Sequence, residues 1–592
     1  MPPLRLQAMD ITALRAVLAE LRSELLPSRF EKARQADGQT LQLGFRSLNG
    51  RVWLEISWLA EAPRLLAIDP PPRGGDGSTL AQQMQHGLAG LALVAIEQQG
   101  WERVVELVFA PRPGEAMQRQ LVVELMGRHS NLFLLDEQRR VITVARQVRQ
   151  QQSRWRPIGT GDLYSAPPPL SGQPPSLLEE QSHWRRQLQL LPLPLGQALS
   201  SAYQGVSPSL ALQLAGEERS SAELLLATDV GQLTDAQWST LWGRWRRWLT
   251  TLEQGSFQFH PSGPCAYRCW AAAPQADAAA ASAAASAAPL AINRALARQY
   301  HSLLQARELQ QRQQSLEQRL QLALTRERQQ RQHQQTLLDQ EAGGEALQRQ
   351  ADALLCLRQP SREQVAEAQA LYRKARKLRR SRQAIEPRLA LHEGHIAQLE
   401  ASLIYLEQWR EMPAATPSSA NAAAAALAAL EQECAALLET RRDRQRRRPP
   451  GAPQAEAEPQ PLELTSPDGL RLQVGRNHRQ NDWISLRQAR RGDLWFHAQE
   501  CPGSHVVLKS SEGDASERDL QAAADLAAHF SRARGNRRVA VVMVPSESLQ
   551  RISGAGPGTV RHRGGEVLWA EPARAQALLS PPVHSLEREP QP

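Results

Sequence analysis

From Ile292 to about Arg410 the chain is rich in Gln, Arg and Leu, and its apolar residues recur at coiled-coil spacing. Leu296 and Leu303 stand seven residues apart, as do Leu309, Leu316 and Ala323, and again Leu371, Leu378 and Ile385. Ile396 and Leu403, with Leu399 and Leu406, extend the pattern. A seven-residue repeat gives a helix one narrow apolar seam, which is buried against a second helix rather than inside a globular core. A break at Gly343-Gly344 or near Pro360 would let a second arm fold back on the first. Pro387 should kink or end a helix, because it lacks a backbone donor. Arms of about 60 residues would reach roughly 90 Å at about 1.5 Å per residue. The expectation is a long antiparallel coiled-coil hairpin over residues 290–445, with compact domains on either side.

The full length of 592 residues suggests about four domains. Residues 1–8 look dispensable, and an α/β sheet domain is expected over 9–166. It opens with an amphipathic helix from Met9 to Phe30, in which Ile11, Leu14, Leu18, Leu21 and Leu25 share a face. Strands at Thr40–Arg46 and Val52–Ile56 are joined by Asn49-Gly50, a strong hairpin signal. A helix over Thr79–Gln98, a strand at Val104–Phe109 and a strand, turn and strand over Gln120–Leu135 complete it.

The Pro-rich segment 167–175 leads to a helical domain, 176–262. Within it, Ala198–Ala215 reads as helix, Gly205-Val206-Ser207-Pro208, helix, with Ser207 as N-cap and Pro208 at the first helical position. That helix-hairpin-helix pattern can hold a phosphate oxygen, or can simply pack as an αα-hairpin. Trp238, Trp242, Trp245 and Trp248, spaced by three and four, read as core. Linkers are expected at 271–289, an Ala-rich tract, and at 446–461, with an α+β module over 462–573 and a tail over 574–592. In that last module, Ser516 to Asp519 should cap a helix running through Arg534, followed by a strand at Arg538–Val544 and a hairpin over Thr559–Trp569 turning at Gly564-Gly565.

Seventy Lys and Arg against 61 Asp and Glu, a net charge of +9, favour a polyanionic partner. Five scattered cysteines make no disulfide framework, and Cys265 and Cys269 lack the second pair a zinc site needs. No run of about 18 apolar residues and no secretory h-region is present, so a cytosolic chain without a membrane partner is expected. There is no phosphate-binding Gly-x4-Gly-Lys loop and no recognisable triad, so neither a cofactor nor a catalytic residue is expected.

The most informative stretch is Val474–Lys509. Alternation over Asp493–Gln499 sends Leu494, Phe496 and Ala498 to one face of a strand and Trp495, His497 and Gln499 to the other. Pro502-Gly503 turns the chain, and Ser504–Lys509 can pair back on the first strand. Gly475-Arg476-Asn477, Asp493-x-Trp495-x-His497 and Pro502-Gly503-Ser504-His505 together closely resemble the NFACT-R signature. NFACT-R is the RNA-binding module of the RqcH/NEMF family of ribosome-associated quality-control factors, earlier described as fibronectin-binding proteins.

The resemblance extends to the NFACT-N domain through the string Glu124–Asn131 and through Arg154-Trp155-Arg156-Pro157, Gly161 and Tyr164. It implies a fold similar to formamidopyrimidine-DNA glycosylases, and tRNA contacts by an Asp of the first helix and an Asp-Arg pair, here Asp10 and Glu102-Arg103. Glu102 is one methylene longer than the usual Asp. The shared string adds Arg128, His129 and Asn131. The basic run Arg373, Lys374, Arg376, Lys377, Arg379, Arg380 resembles the motif opening a helix of the family's middle domain and implies rRNA contact, with a merely solvated face as the competing reading. In the NFACT-R part, the resemblance implies RNA contact by Arg476, Asn477, Asp493, Trp495, His497, Ser504 and His505.

Such a factor would act as a monomer on a large ribosomal subunit carrying nascent polypeptide-tRNA. It would recruit tRNA, for alanine in bacterial members, for template-free tailing by the ribosome's own peptidyl transferase. The competing classes are a surface adhesin binding fibronectin, against which the missing signal peptide and basic charge count, and a glycosylase-like DNA- or RNA-binding protein. Met1-Pro2 offers a Pro amine but no adjacent Glu, so base excision is not expected.

Overall fold

The computed structural model describes residues 6–72, 78–151, 153, 156–263, 265–271, 288–340, 343–411, 417–438, 458–552 and 556–579. Arg154, Trp155, most of the Ala-rich 271–289 segment and most of the 446–461 linker lie outside these. The chain forms two compact units, Met1–Arg307 and Glu308–Pro592.

In the first unit, helix α1 (Ile11–Leu25) is capped by Asp10, whose carboxylate accepts from the Ala13 N–H at 2.8 Å. Its stripe of Ile11, Leu14, Leu18, Leu21 and Leu25 is fully buried. Strands β1 (Ser28–Asp37), β2 (Thr40–Ser47), β3 (Gly50–Ser57) and β4 (Arg64–Ile68) precede helix α2 (Thr79–Leu88). Strands β5 (Ala92–Glu97), β6 (Val104–Ala110), β7 (Arg119–Glu124), β8 (Asn131–Leu135) and β9 (Val141–Val144) follow. They form one antiparallel sheet of nine strands, ordered β4-β3-β2-β1-β5-β6-β7-β8-β9.

Two sequence expectations are corrected here. The helix expected to reach Gln98 stops at Leu88, because Gly90 takes a left-handed conformation (φ 79°) and Ala92–Glu97 becomes a central strand. Strand β1 was not expected: the first helix ends at Leu25 rather than Phe30, and a charged sequence hides a partner of β2 and β5.

Helices α3 (Gln181–Leu188), α4 (Leu195–Ala202), α5 (Pro208–Ala215), α6 (Arg219–Ala227) and α7 (Asp235–Gln254) follow. Ser207 caps α5, accepting from the Leu210 N–H at 3.2 Å, with Pro208 at the first helical position. Trp184, Trp238, Trp245 and Trp248 are fully buried in the core that also holds α1. Each indole removes roughly 150–250 Å² from water, so these residues pack rather than present a stacking surface. After the short strands β10 (His260–Pro261) and β11 (Tyr267–Arg268), helix α8 (Ala291–Gln340) begins in this unit. Buried Asn293 pins it: its Oδ1 accepts from the Ala67 N–H at 2.7 Å and its Nδ2 donates to Glu20 at 2.8 Å.

In the second unit, α8 continues beside α9 (Gly344–Leu355), α10 (Arg362–Arg410) and α11 (Pro417–Leu438). The ion pairs Glu317–Arg410 and Arg328–Glu400 and the Glu327–His392 contact show that α8 and α10 run antiparallel. Leu316, Leu320, Leu324, Ile396, Leu399 and Leu406 form the seam, joined by Leu427 and Leu430 of α11. The chain reverses near Pro360, where Ser361 starts α10 with a capping box. Pro387 lies inside α10, which continues past it, so the expected end of the helix there is not seen.

The last domain contains β12 (Leu462–Thr465), β13 (Arg471–Val474), α12 (His478–Trp483), β14 (Leu494–Ala498), β15 (Val506–Leu508), α13 (Glu517–His529), β16 (Val539–Pro545), β17 (Leu549–Arg551), β18 (Val560–His562) and β19 (Glu566–Ala570). Six strands form an antiparallel sheet in the order β12-β13-β15-β14-β16-β19, and β17 pairs with β18. Leu472, Phe496, Ala498, Val506, Leu508 and Val541 face α13. Trp495, Val507, Val542 and Val544 face the other way, onto Ile484 and Leu549.

Here α13 ends at His529 rather than Arg534, and the expected hairpin over Thr559–Trp569 does not form. Gly564 and Gly565, at φ 67° and 126°, instead carry the chain from one sheet to the other. A Cβ on Gly565 would sit 2.6 Å from Val544 and 2.8 Å from Val542.

Candidate nucleic-acid interface

The β14–β15 pair has the register its alternation predicts, with Trp495 opposite Val507 and Phe496 opposite Val506. Its aromatic side is nevertheless enclosed. Trp495 is 2% exposed and lies parallel to His497, with centroids 5.6 Å apart and an interplanar angle of 12°. His505 meets both rings edge-on, at 5.0 and 5.3 Å. Burial pushes the His497 imidazole down to about 4 and His505 well below its usual range, so neither is a cation at neutral pH. Trp495 is therefore packed inside the domain rather than offered at the surface to a base. Alternation sets which side chains share a face, but α12 and the β17–β18 ribbon cover this one.

Four more of the expected RNA contacts are internal. Asp493 is fully buried and accepts from the Arg490 N–H (2.8 Å), the Ser511 N–H and hydroxyl (3.1 and 2.6 Å) and Lys509 Nζ (3.1 Å). Burial opposes its charge, but these donors outweigh burial and hold it below the usual carboxylate range. Asn477 caps α12, accepting from the Gln480 N–H at 2.7 Å. Buried Ser504 donates its N–H to the Phe530 carbonyl at 2.9 Å. Buried His505 contacts the Ser485 hydroxyl at 2.7 Å. Of the seven, Arg476 and His497 are partly exposed.

Residues beside them form a seam with the long helices. The His478 ring meets the Ser402 hydroxyl at 3.1 Å, and Asn481 Nδ2 donates to Tyr405 Oη at 2.8 Å. Gln408 Nε2 donates to the Phe530 carbonyl at 3.0 Å. From α11, the Glu433 carboxyl accepts from the His478 and Arg479 N–H groups at 3.1 and 3.4 Å, and burial pushes it up to about 7. Any side chain at Gly475 would collide with Asn481, since a Cβ there would lie 2.2 Å from its Oδ1. Ser402, Tyr405, Gln408 and Glu433 were not picked out from the sequence.

The basic run on α10 is laid out differently. Arg373, Lys374, Arg376, Lys377, Arg379 and Arg380 are all exposed, and none forms an ion pair with a described residue, whereas Arg382 pairs with Glu386. Ala375 and Ile385 are buried on the opposite side. Residues 373, 376, 377 and 380 follow i, i+3, i+4, i+7 spacing and so form one stripe. Like charges so placed repel by a few tenths of a kcal/mol per pair, which a polyanion would relieve.

In the first unit, the structure brings Asp10 close to Arg103. Asp10 is buried under its capping role, and Gln213 Nε2 donates to its Oδ2 at 3.3 Å. Burial raises its pKa. Asp10 thus points inward, where it caps α1 beside Arg103. Arg103 Nη1 donates to the Met9 carbonyl at 3.0 Å, and burial lowers its pKa against the opposing charges of Asp10 and Glu102. Glu102 is half-buried and accepts from the Leu170 N–H at 2.9 Å. Arg128 and His129 are exposed on the turn after β7. Asn131 is buried, where it accepts from the Arg146 N–H at 3.0 Å and donates to its carbonyl at 2.7 Å, so its side chain is turned inward. The landmark residues Glu124, Arg156 and Tyr164 form a partly buried network: Arg156 makes a two-pronged contact with the Glu124 carboxylate, to which Tyr164 also donates at 2.8 Å.

Among the described residues, no group of His, Cys, Asp and Glu could hold a metal ion, and no helix is long and apolar enough to cross a membrane.

The family model for NFACT N-terminal and middle domains matches residues 10–364, and that for the NFACT protein RNA binding domain matches residues 462–564. The chain belongs to the NFACT family, and within it to the RqcH/NEMF type. It is 24% identical over 578 residues to Rqc2 homolog RqcH of Streptococcus pneumoniae serotype 2 (strain D39 / NCTC 7466), covering 94% of this chain and 96% of that protein. It is 26% identical over 580 residues to Rqc2 homolog RqcH of Streptococcus suis (strain 05ZYH33), again covering 94% and 96%. A solved structure of the C-terminal part of the fibronectin/fibrinogen-binding protein from Streptococcus suis is 26% identical, covering 46% of this chain and 98% of that one, with a TM-score of 0.36.

Proposed function

We propose that this chain is a ribosome quality-control factor that binds large ribosomal subunits still carrying nascent chain-tRNA. It recruits tRNA charged with alanine, and the ribosome's own peptidyl transferase then adds residues to the stalled chain without a template, marking it for degradation. The protein contributes binding and positioning, and no nucleophile or base. Its membership of the RqcH/NEMF type supports this reading, and one structural observation carries it: six exposed cations of α10 that form no ion pair with a described residue.

If the six cations meet about six phosphates, the salt dependence is steep, with affinity falling on the order of a thousandfold between 50 and 200 mM salt. The test is co-sedimentation of the full chain with large subunits across that range. Replacing Arg376, Lys377, Arg379 and Arg380 by Glu should release the protein. Unchanged co-sedimentation of that variant would reduce the stripe to a solvated face.

A further inference from the structure

The enclosed side of the C-terminal sheet is covered over only part of its width. His497 lies opposite Val542, Val542 opposite Val567, and Ala540 opposite Trp569, so these side chains share the Trp495 face. The roof of α12 and β17–β18 covers Trp495, Val542 and Val544. Beyond it, on edge strand β19, Val567 is 48% and Trp569 62% exposed. Cations flank this open strip. Arg561 and Arg563, just before β19, are exposed and form no ion pair with a described residue. Arg538 shares the face of Ala540 by alternation and reaches Glu571 at 3.3 Å.

We propose that this strip binds unpaired RNA, with a base stacked on Trp569 and neighbouring phosphates on Arg561 and Arg563. The proposal rests on the RNA-binding reading of this domain and names its subsite, which is Trp569 rather than Trp495. An open indole on a strand preceded by exposed guanidinium groups suits a nucleobase with its phosphates, because every base offers a π-face and every linkage an anion. A protein partner adding a strand to the β19 edge would need main-chain pairing and would gain little from the arginines.

The experiment measures fluorescence anisotropy of a labelled 12-nucleotide oligoadenylate with the full chain. Trp569→Ala should weaken binding roughly 5- to 150-fold, the range seen when one stacked base is lost. Trp569→Phe should keep most of the affinity. Arg561→Gln with Arg563→Gln should weaken binding and lower the slope of log affinity against log salt by about 1.4, or 0.7 per phosphate of a single strand. Trp569 is exposed, so unchanged hydrogen exchange in β16 and β19 will verify that the fold is intact. Wild-type affinity in Trp569→Ala, or no binding of the oligonucleotide by the wild-type chain, overturns the proposal. Either result leaves the ribosome reading to be judged by co-sedimentation, which depends on α10 and does not need Trp569.

Discussion

Lys509 and Asp493 form an ion pair whose side chains are 5% and 0% exposed, with Nζ 3.1 Å from Oδ2. Lys509→Met keeps most of the stem but removes the charge, leaving a buried carboxylate without its counter-ion. Losing one partner of such a pair costs about 3–5 kcal/mol. The Gln488 carbonyl also loses the Lys509 donor, now at 2.9 Å, for about another 1 kcal/mol. Against this, the Arg490 N–H and both Ser511 donors stay on Asp493, so the low end, about 3 kcal/mol, is expected.

That corresponds to roughly a 150-fold faster exchange of the β14 and β15 amides, measured by hydrogen-exchange mass spectrometry on the full chain. Adding Asp493→Asn to Lys509→Met removes the stranded charge and should recover part of the protection. The pH dependence has a definite sign. Asp493 is held below its usual value in the fold, so its contribution is present above the unfolded value, about 3.9, and is lost as pH falls through the depressed folded value. In Lys509→Met that loss should begin at a higher pH. A change in protection of less than about threefold would refute the assignment of Asp493 as a structural anion and return it to the list of RNA contacts.

Trp495→Ala should destabilise the C-terminal domain by about 3–5 kcal/mol, read as loss of near-ultraviolet circular dichroism and of exchange protection in β14; loss of RNA binding with the fold intact would argue instead for a surface role. Glu433 is raised to about 7, so protonation favours the docked state: docking of α11 on α12 should weaken as pH rises from about 4.5 through 7, and Glu433→Gln should abolish that dependence in hydrogen exchange of α12. Arg103→Ala should leave the protein on large subunits while depleting its bound tRNA and abolishing tails on a stalled reporter, and Glu102→Asp should retain or raise tailing. A normal tRNA complement in Arg103→Ala by sequencing of bound RNA would place tRNA recruitment elsewhere.

What could be read from the sequence followed periodicity. The stripe in α1, the β2–β3 hairpin at Asn49-Gly50 and the faces of β14 all came from local spacing, and the structure has them. What could not be read depended on distant partners. Alternation separated Trp495 from Phe496 correctly, yet both faces of this sheet are covered at β14, one by α13 and one by α12 with β17–β18. A stretch of seven residues carries no information about that second layer. Asp10 shows the same limit: a polar residue before an apolar helix signals a cap, but its burial comes from Gln213, about two hundred positions later in the chain.

The signature of the C-terminal domain can be understood through its neighbours. Gly475 admits Asn481; Asn481 holds Tyr405 and accepts from the His505 N–H at 3.0 Å; His505 contacts Ser485; and the chain at Gly503 packs against Ser531 while Gln408 reaches Phe530. Each link needs a particular small or hydrogen-bonding residue, because a buried polar group left unpaired costs about 1–3 kcal/mol. A motif that looks like an RNA-reading surface is thus largely the joint between the sheet domain and α10, the same helix that carries the exposed basic stripe. Positioning that stripe relative to the sheet demands a specific interface, and a polar, hydrogen-bonded one specifies a single docking geometry more strictly than apolar contacts do. Asn481→Leu should therefore disturb subunit binding without touching a single arginine, and wild-type co-sedimentation of a folded Asn481→Leu chain would count against the joint having any part in presenting α10.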